Sequence, residues 1–455
     1  MPDTLVVQLE HALQSVYGRG LRVRDITRLS GGASRETFRF KVDSGTSTIQ
    51  LILRRDFPGR PSPPGGMGLE AHVLGEAARA GLAVPQVIMS CDGTDCWETA
   101  GLVMEFVPGE TIARRILRNP EFAAARQSLV RDCGQFLAGL HRIDPALISE
   151  LPVADPLEVC RKSYNETGMD SPTFEYAFRW LSDHRPQRSA PVAIVHGDFR
   201  LGNLIVDERG LRAVLDWEGV HLGDPLEDLG WLGVKAWRFG ATPPVAGLGS
   251  YDVLIAAYTA AEGRDVNPDD LAWWQIFGTL RWGVICMVQA SFYLSGAVES
   301  VELAAIGRRV CEQEWDLLSS LRPDAIAASD VCQPEHGHPS IDLHGEPRAE
   351  VLVAAVRDFL RNEILPSTEG SLQFHTRVSA NILEMIEREM TLGRAQLDYY
   401  SEALAELGAT STAEVAAGIR DRRWDQQSDQ LIHFLATSVA EKLRVANPKY
   451  LLSSH

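Results

Sequence analysis

The sequence predicts an α+β protein in which an antiparallel-sheet lobe precedes a mainly helical lobe, with a separate all-α domain at the end. Three observations carry this expectation. Short apolar runs punctuated by turn residues fill the first hundred or so positions, helical spacing replaces them beyond Pro108-Gly109, and a proline-bearing stretch without periodicity precedes the last helices. The boundaries follow as 1–107, 108–322, a linker at 323–348, and 349–455. At 455 residues the chain exceeds the size at which one core keeps growing, and 45% hydrophobic residues suffice to fill more than one.

Taken in order, Leu5, Leu9 and Leu13 lie four apart and predict an amphipathic helix over 5–17. Residues 21–29, 36–42 and 48–53 read as three strands of a meander, with Asp43-Ser44-Gly45 as one turn. Leu69, Val73, Leu74 and Ala77 share a helical face over 67–80, and 84–91 and 101–107 supply two more strands. Helices are predicted at 111–118, 121–142, 156–164 and 172–184, broken by prolines and glycines. Short strands at 192–195, 204–206 and 213–215 then bracket a polar loop, and helices follow at 228–237, 250–263, 269–295 and 301–321.

The 269–295 segment carries Trp273, Trp274, Phe277, Trp282 and Phe292, which predicts a core helix; a wall for a substrate is the alternative. In the linker, His336, His338 and His344 are read as solvated histidines, so no metal is assigned there. Residues 349–365, 372–407 and 428–445 are predicted helices of the last domain. Val351, Leu352, Ala355, Val356, Phe359 and Leu360 form one apolar face, and Ile382, Leu383, Ile386 and Met390 another. Such faces are buried only against each other or a partner, which makes homo-oligomer formation through these helices an expectation.

Composition narrows the function classes. A net charge of −17 and a pI near 5.2 repel polyanions and anionic lipid, so neither nucleic acid nor a membrane is expected as a partner. Seven cysteines without a CxxC pair predict free thiols and a reducing compartment. The first ten residues lack a basic segment followed by a long apolar one, and no uninterrupted apolar run appears long enough for a span, so a cytoplasmic location is expected.

The chemistry concentrates in His196-Gly197-Asp198-Phe199-Arg200-Leu201-Gly202-Asn203 and in Asp216 of Val214-Leu215-Asp216-Trp217-Glu218. Transfer of a γ-phosphoryl group needs a carboxylate at the acceptor hydroxyl and oxygen ligands for magnesium beside the phosphates. Asp198 suits the hydroxyl, while Asn203 further along the loop and Asp216 at the end of the next strand suit the metal. Asp and Asn also form turns for local hydrogen-bonding reasons, but a turn alone does not call for the second Asp at a strand end. The pattern therefore predicts a phosphotransferase centre using ATP and Mg2+ on a hydroxyl.

With these residues the chain resembles the aminoglycoside-phosphotransferase-like kinases, relatives of protein kinases that act on small molecules, over residues 1 to about 320. The resemblance implies a bilobal protein-kinase-like fold with Asp198 as catalytic aspartate, Asn203 and Asp216 as metal ligands, and Arg200 as a residue that either balances charge on the transferred group or faces solvent. It also implies that the Ser30-Gly31-Gly32-Ala33-Ser34 turn lays backbone over the phosphates through Gly31, Gly32 and Ser34, although the G-x-G-x-x-G spacing of protein kinases is missing. Arg54 stands where a lysine is usual, with Glu70 as its helix partner, and the main chain of Glu105 to Val107 would meet adenine. Gly223-Asp224-Pro225 and Asp228 resemble a motif that braces the catalytic loop. Leu53-Arg54-Arg55 and Leu215-Asp216-Trp217-Glu218 are most similar to the branch associated with acyl-CoA dehydrogenases, which implies a hydroxyacyl-CoA or related hydroxy acid as acceptor. The last domain resembles an uncharacterised helical domain appended to some of these kinases. A catalytically silent nucleotide-binding scaffold is the alternative, against which the intact Asp198, Asn203 and Asp216 count.

Overall fold

A computed structural model describes residues 2–29, 35–45, 47–57, 66–92, 97–187, 192–327 and 347–452. The expected phosphate turn with Gly31, Gly32 and Ser34, and the linker histidines His336, His338 and His344, lie outside the described residues. The chain forms two compact units. The first comprises Met1–Ala154 with Pro186–Gln275, and the second Asp155–Arg185 with Ile276–His455.

In the first unit a helix, Pro2–Tyr17, leads into a five-stranded antiparallel sheet of order β1-β2-β3-β5-β4, formed by Arg22–Arg28, Arg35–Asp43, Thr48–Asp56, Val87–Cys91 and Gly101–Glu105. The fourfold leucine spacing works as expected. Leu5, Leu9 and Leu13 are buried with Phe40, Val42, Leu51, Leu53, Trp97 and Val103 on one sheet face, each fully buried large side chain contributing roughly 1.5–3 kcal/mol relative to exposure. Because side chains alternate along a strand, Ile52 and Arg54 turn to the opposite face from Leu51 and Leu53. There Ile52 packs with Met67, Leu102 and Met104, and Arg54 meets Glu70 of the helix Gly66–Arg79.

The rest of this unit is built on the helix Ala123–His141, which buries Leu129, Val130, Cys133, Phe136, Leu137 and Leu140. Gly134 lets the helix Tyr251–Glu262 pack closely, since a Cβ there would lie 2.8 Å from the Leu254 carbonyl oxygen. Two small ladders frame the polar loop: β6, Ala193–Val195, pairs with β9, His221–Gly223, and β7, Leu204–Asp207, forms a hairpin with β8, Gly210–Val214. The β9 strand is absent from the sequence reading because three residues are too few to show a period.

The second unit is helical. Its core joins Trp315 and Leu318 of Val310–Leu321 to Val415 and Ile419 of Thr412–Arg420 and to Ile432, Leu435, Val439 and Leu443 of Ser428–Ala446. Several sequence expectations need correction. The helix predicted over 301–321 is broken into Val301–Ile306 and Val310–Leu321 by a 3-10 turn at Gly307–Arg309, and the 349–365 helix ends at Phe359 in a π-turn. Helix Thr412–Arg420 was not foreseen, although Ser411 caps it by accepting from the Glu414 N–H, a Ser-x-x-Glu signature legible in sequence.

Helix Pro268–Leu294 is long and apolar enough to cross a membrane by length and composition, although Gln275, Arg281 and Gln289 interrupt its apolar run, and 61% of its most apolar window is buried in the fold. Trp273, Trp274 and Phe277 lie in the core as predicted, whereas Phe292 is exposed. Cys133, Cys160, Cys286 and Cys311 are free and buried, but Cys91 is disulfide-bonded, so the expectation of free thiols does not extend to it.

Candidate active site

The loop between β6 and β7 is fixed from below by a buried carboxylate. Asp228, on the helix Leu226–Leu232, is fully buried and accepts the backbone N–H groups of His196 at 2.8 Å and Gly197 at 2.9 Å. His141 Nε2 lies 3.2 Å from the same carboxylate, and His141 Nδ1 lies 2.9 Å from the Tyr258 hydroxyl. Burial alone would raise the Asp228 pKa, but hydrogen bonding and charge from His141, with His196, hold it below the usual carboxylate range. Gly197 sits at φ 78°, and a Cβ there would come within 2.3 Å of the Gly219 carbonyl oxygen, so only glycine fits this crossing.

His196 then couples the two halves of the motif. Its Nδ1 accepts the Asp198 N–H at 3.1 Å, which assigns the proton to Nε2 and directs it to the Leu215 carbonyl at 3.0 Å. The Leu215 N–H in turn donates to the Asn203 carbonyl at 2.8 Å. Asp198, Asn203 and the residue before Asp216 thus share one hydrogen-bonded frame. Asp216 itself adopts a left-handed conformation, φ 69° and ψ 66°, which for a non-glycine residue costs on the order of 1–2 kcal/mol and turns the chain sharply out of β8.

Asp198 carries three side-chain donors. Arg200 Nε reaches both its oxygens at 3.0 and 3.1 Å, Asn203 Nδ2 reaches Oδ2 at 2.7 Å, and Trp231 Nε1 reaches Oδ1 at 2.8 Å. Asn203 Nδ2 also donates to the Asp198 carbonyl at 2.9 Å, so its NH2 is committed to the loop and its amide oxygen is the end left for other work. The Arg200 guanidinium lies over the Trp237 ring at 4.9 Å, and Trp237 packs on Trp231 at 5.2 Å. The guanidinium of Arg200 is therefore held from two sides.

A second cluster carries the charges expected around phosphates. Arg54 bridges Glu70, its predicted partner, and Asp216, which it meets through Nη2 at 2.9 Å. Burial would lower the Arg54 pKa, but the carboxylates of Glu70 and Asp216 outweigh it and raise the value. Glu70 is 2% exposed and also pairs with buried Arg35, whose Nε lies 3.3 Å from Asp56. Glu105 and Val107 lie at the end of β5, where the N–H of Glu105 donates to the Gln86 carbonyl and that of Phe106 to the Gln50 carbonyl.

The structure thus joins Asp198 with Asn203 and Arg200, and Arg54 with Glu70 and Asp216. Trp231, Trp237, Arg35, His141 and Tyr258 were missed in the sequence. No spacing rule links the tryptophans to the loop, and a buried arginine at a strand start looks like any surface arginine. Asp224, read as a helix start, accepts from the Leu226 N–H at 2.9 Å. For magnesium, the Asn203 amide oxygen and the Asp216 carboxylate are hard-oxygen groups of the kind that ion takes together with phosphates and water, so their chemistry fits it.

The sequence model of the phosphotransferase enzyme family matches residues 25–265, and that of a domain of unknown function matches 366–450. The chain is 24% identical over 373 residues to human acyl-CoA dehydrogenase family member 11, covering 73% of this chain and 46% of that protein. It is 28% identical over 240 residues to mouse acyl-CoA dehydrogenase family member 10, covering 50% of this chain and 22% of that protein. The chain spans about half the length, or less, of these curated relatives. Among solved structures, one from Ralstonia eutropha named for the aminoglycoside phosphotransferases superposes with a TM-score of 0.55 at 23% identity, covering 68% of this chain and 97% of that one, which shows a shared fold.

Proposed function

This chain belongs to the phosphotransferase enzyme family, and from that premise we propose that it moves the γ-phosphoryl group of ATP to the hydroxyl of a hydroxyacyl-CoA or a related hydroxy acid. As a small-molecule kinase it has little covalent chemistry to supply beyond position and charge. The acceptor oxygen forms the new P–O bond as the bond from the γ-phosphorus to the β-bridging oxygen breaks, ADP leaves, and the hydroxyl proton passes to Asp198.

The observation that carries this reading is the frame through His196 and Leu215, which fixes the Asp198 carboxylate, the Asn203 amide and the chain entering Asp216 relative to one another. In the proposal Asn203, through its amide oxygen, and Asp216 hold Mg2+, which supplies charge neutralisation at the phosphates. Arg54, anchored by Glu70, lies next to Asp216 and positions the phosphates. Arg200 steadies Asp198 and balances charge as the phosphoryl group transfers. Since the N–H groups of Glu105 and Phe106 are already engaged, adenine would be read by the Glu105 carbonyl and the Val107 N–H.

Support for the acyl-CoA class comes from the names of the curated relatives and from the Leu53-Arg54-Arg55 and Leu215-Asp216-Trp217-Glu218 segments. The test is incubation of the full chain with Mg2+, ATP and a panel of hydroxyacyl-CoA compounds, sugar alcohols and aminoglycosides, with phosphorylated products followed by mass spectrometry. A phosphorylated hydroxyacyl-CoA is expected. Phosphorylation confined to another class overturns the acceptor, and no phosphorylated acceptor in a broad panel overturns the transferase reading.

A further inference from the structure

In the second unit, the helix Ala349–Phe359 turns its apolar side outward. Every residue in it except Glu350, Arg357 and Asp358 is apolar, yet none is buried. Its main neighbour is the helix Gly370–Glu406, and ion pairs tie the two together: Arg357 meets Glu387, and Arg361, in the turn that continues the helix, meets Glu384. Helical spacing puts Leu352, Ala355, Val356 and Phe359 on the side turned away from those arginines. Leu352, Val356 and Phe359 are 52%, 51% and 55% exposed, and Ala355 is exposed between them. A helix that is apolar on all sides belongs inside a core, so this one lacks a neighbour.

The stripe, with Val351 at its edge, leaves roughly 400 Å2 of apolar surface on each copy of the chain, the size at which a patch marks an interaction site. Two copies would take roughly 800 Å2 of it out of water, and with the flanking side chains about 1,200 Å2, the size of a small, reversible interface. Charge at its two ends says how the copies meet. Arg348 stands just before the helix, 3.7 Å from Glu350 and with 59% of its side chain exposed, and Glu363 stands exposed at the far end. When two such helices lie antiparallel about a two-fold axis between Ala355 and Val356, Leu352 of each faces Phe359 of the other, Ala355 faces Val356, and Arg348 faces Glu363. Each contact then occurs twice, as a two-fold interface requires, and both ends bring opposite charges together. A parallel pairing would set Arg348 against Arg348.

We propose that this face binds a second copy of the chain, forming a reversible dimer through antiparallel contact of the two Ala349–Phe359 helices. The contact lies in the helical region of the chain and is independent of the phosphotransferase reading.

Sedimentation equilibrium of the full chain from about 1 to about 200 μM tests this, with a reversible monomer–dimer equilibrium expected across that range. Val356→Glu places a charge next to the axis and should raise the dissociation constant about tenfold or more. The position is exposed and glutamate is the better helix former, so the fold persists. Arg348→Glu should weaken the dimer about threefold or more, and adding Glu363→Arg to it should bring the dissociation constant back to within about twofold of wild type, because the exchanged charges again face each other. A monomer at every concentration, which leaves the face to another segment or protein, overturns the proposal. So does a dimer that Val356→Glu leaves intact, or one that the double exchange fails to restore.

Discussion

The two units bury acidic side chains for different ends. In the first, Asp228 grips the backbone N–H groups of His196 and Gly197 and so immobilises a loop. In the second, Glu175 on the helix Pro172–Asp183 grips side chains, Arg161 at 2.6 Å and Arg420 at 2.5 Å, and so sets the register of three helices. A carboxylate spent on main chain fixes a conformation that helices and strands would not adopt, which is what an active-site loop needs. A carboxylate spent on another helix fixes packing that the apolar faces already favour.

That contrast can be broken at either end. Asp228→Asn has the largest expected effect, because the loop loses its ionic brace and His141 loses its buried partner: roughly 3 kcal/mol of stability and most of the turnover. Chemical denaturation paired with an activity assay reads both. The same residue sets an acid limit. Its folded pKa is lowered, so its contribution is full above the unfolded value of about 3.9 and is lost as pH falls through the lower folded value. The wild type should therefore lose stability below about pH 4 more steeply than Asp228→Asn, which lacks this titration.

Glu175→Gln should cost less, roughly 1.5–3 kcal/mol, because Arg161 and Arg420 are partly exposed and regain water. Thermal unfolding should fall while turnover per folded molecule stays within about twofold of wild type, as expected when none of the hydrogen bonds that hold the loop is touched. An equal loss of turnover would erase the distinction between the units. Trp231→Phe has the smallest expected effect. It removes one of three donors to Asp198 and should lower kcat about tenfold with little change in KM, since one hydrogen bond to a charged group is worth roughly 1.5 kcal/mol.

The sequence displayed the parts of this molecule that are local and hid those that are assembled. The leucines of the first helix, the meander and the Asp198-to-Asn203 loop are visible because a period or a short spacing carries them. The Arg54 and Glu70 pairing came from the resemblance to the kinases, and the geometry brings the two together. Trp231 and Trp237 were invisible because the helix Leu226–Leu232 and the turn after it deliver them to Asp198 and Arg200 only once the loop has folded. Glu175 was invisible for a parallel reason: its two partners lie on either side of it in the chain, one of them on a helix near the far end.

In the proposed reaction Asp198, placed by this frame, serves the acceptor hydroxyl in phosphoryl transfer. The most direct test is Asp198→Asn, measured for both turnover on a phosphorylated acceptor and ATP affinity. The account predicts a fall in kcat of about 10²–10⁴-fold, the usual weight of a positioned acid-base group, with ATP affinity within about threefold of wild type. Unchanged turnover with intact ATP binding would contradict it.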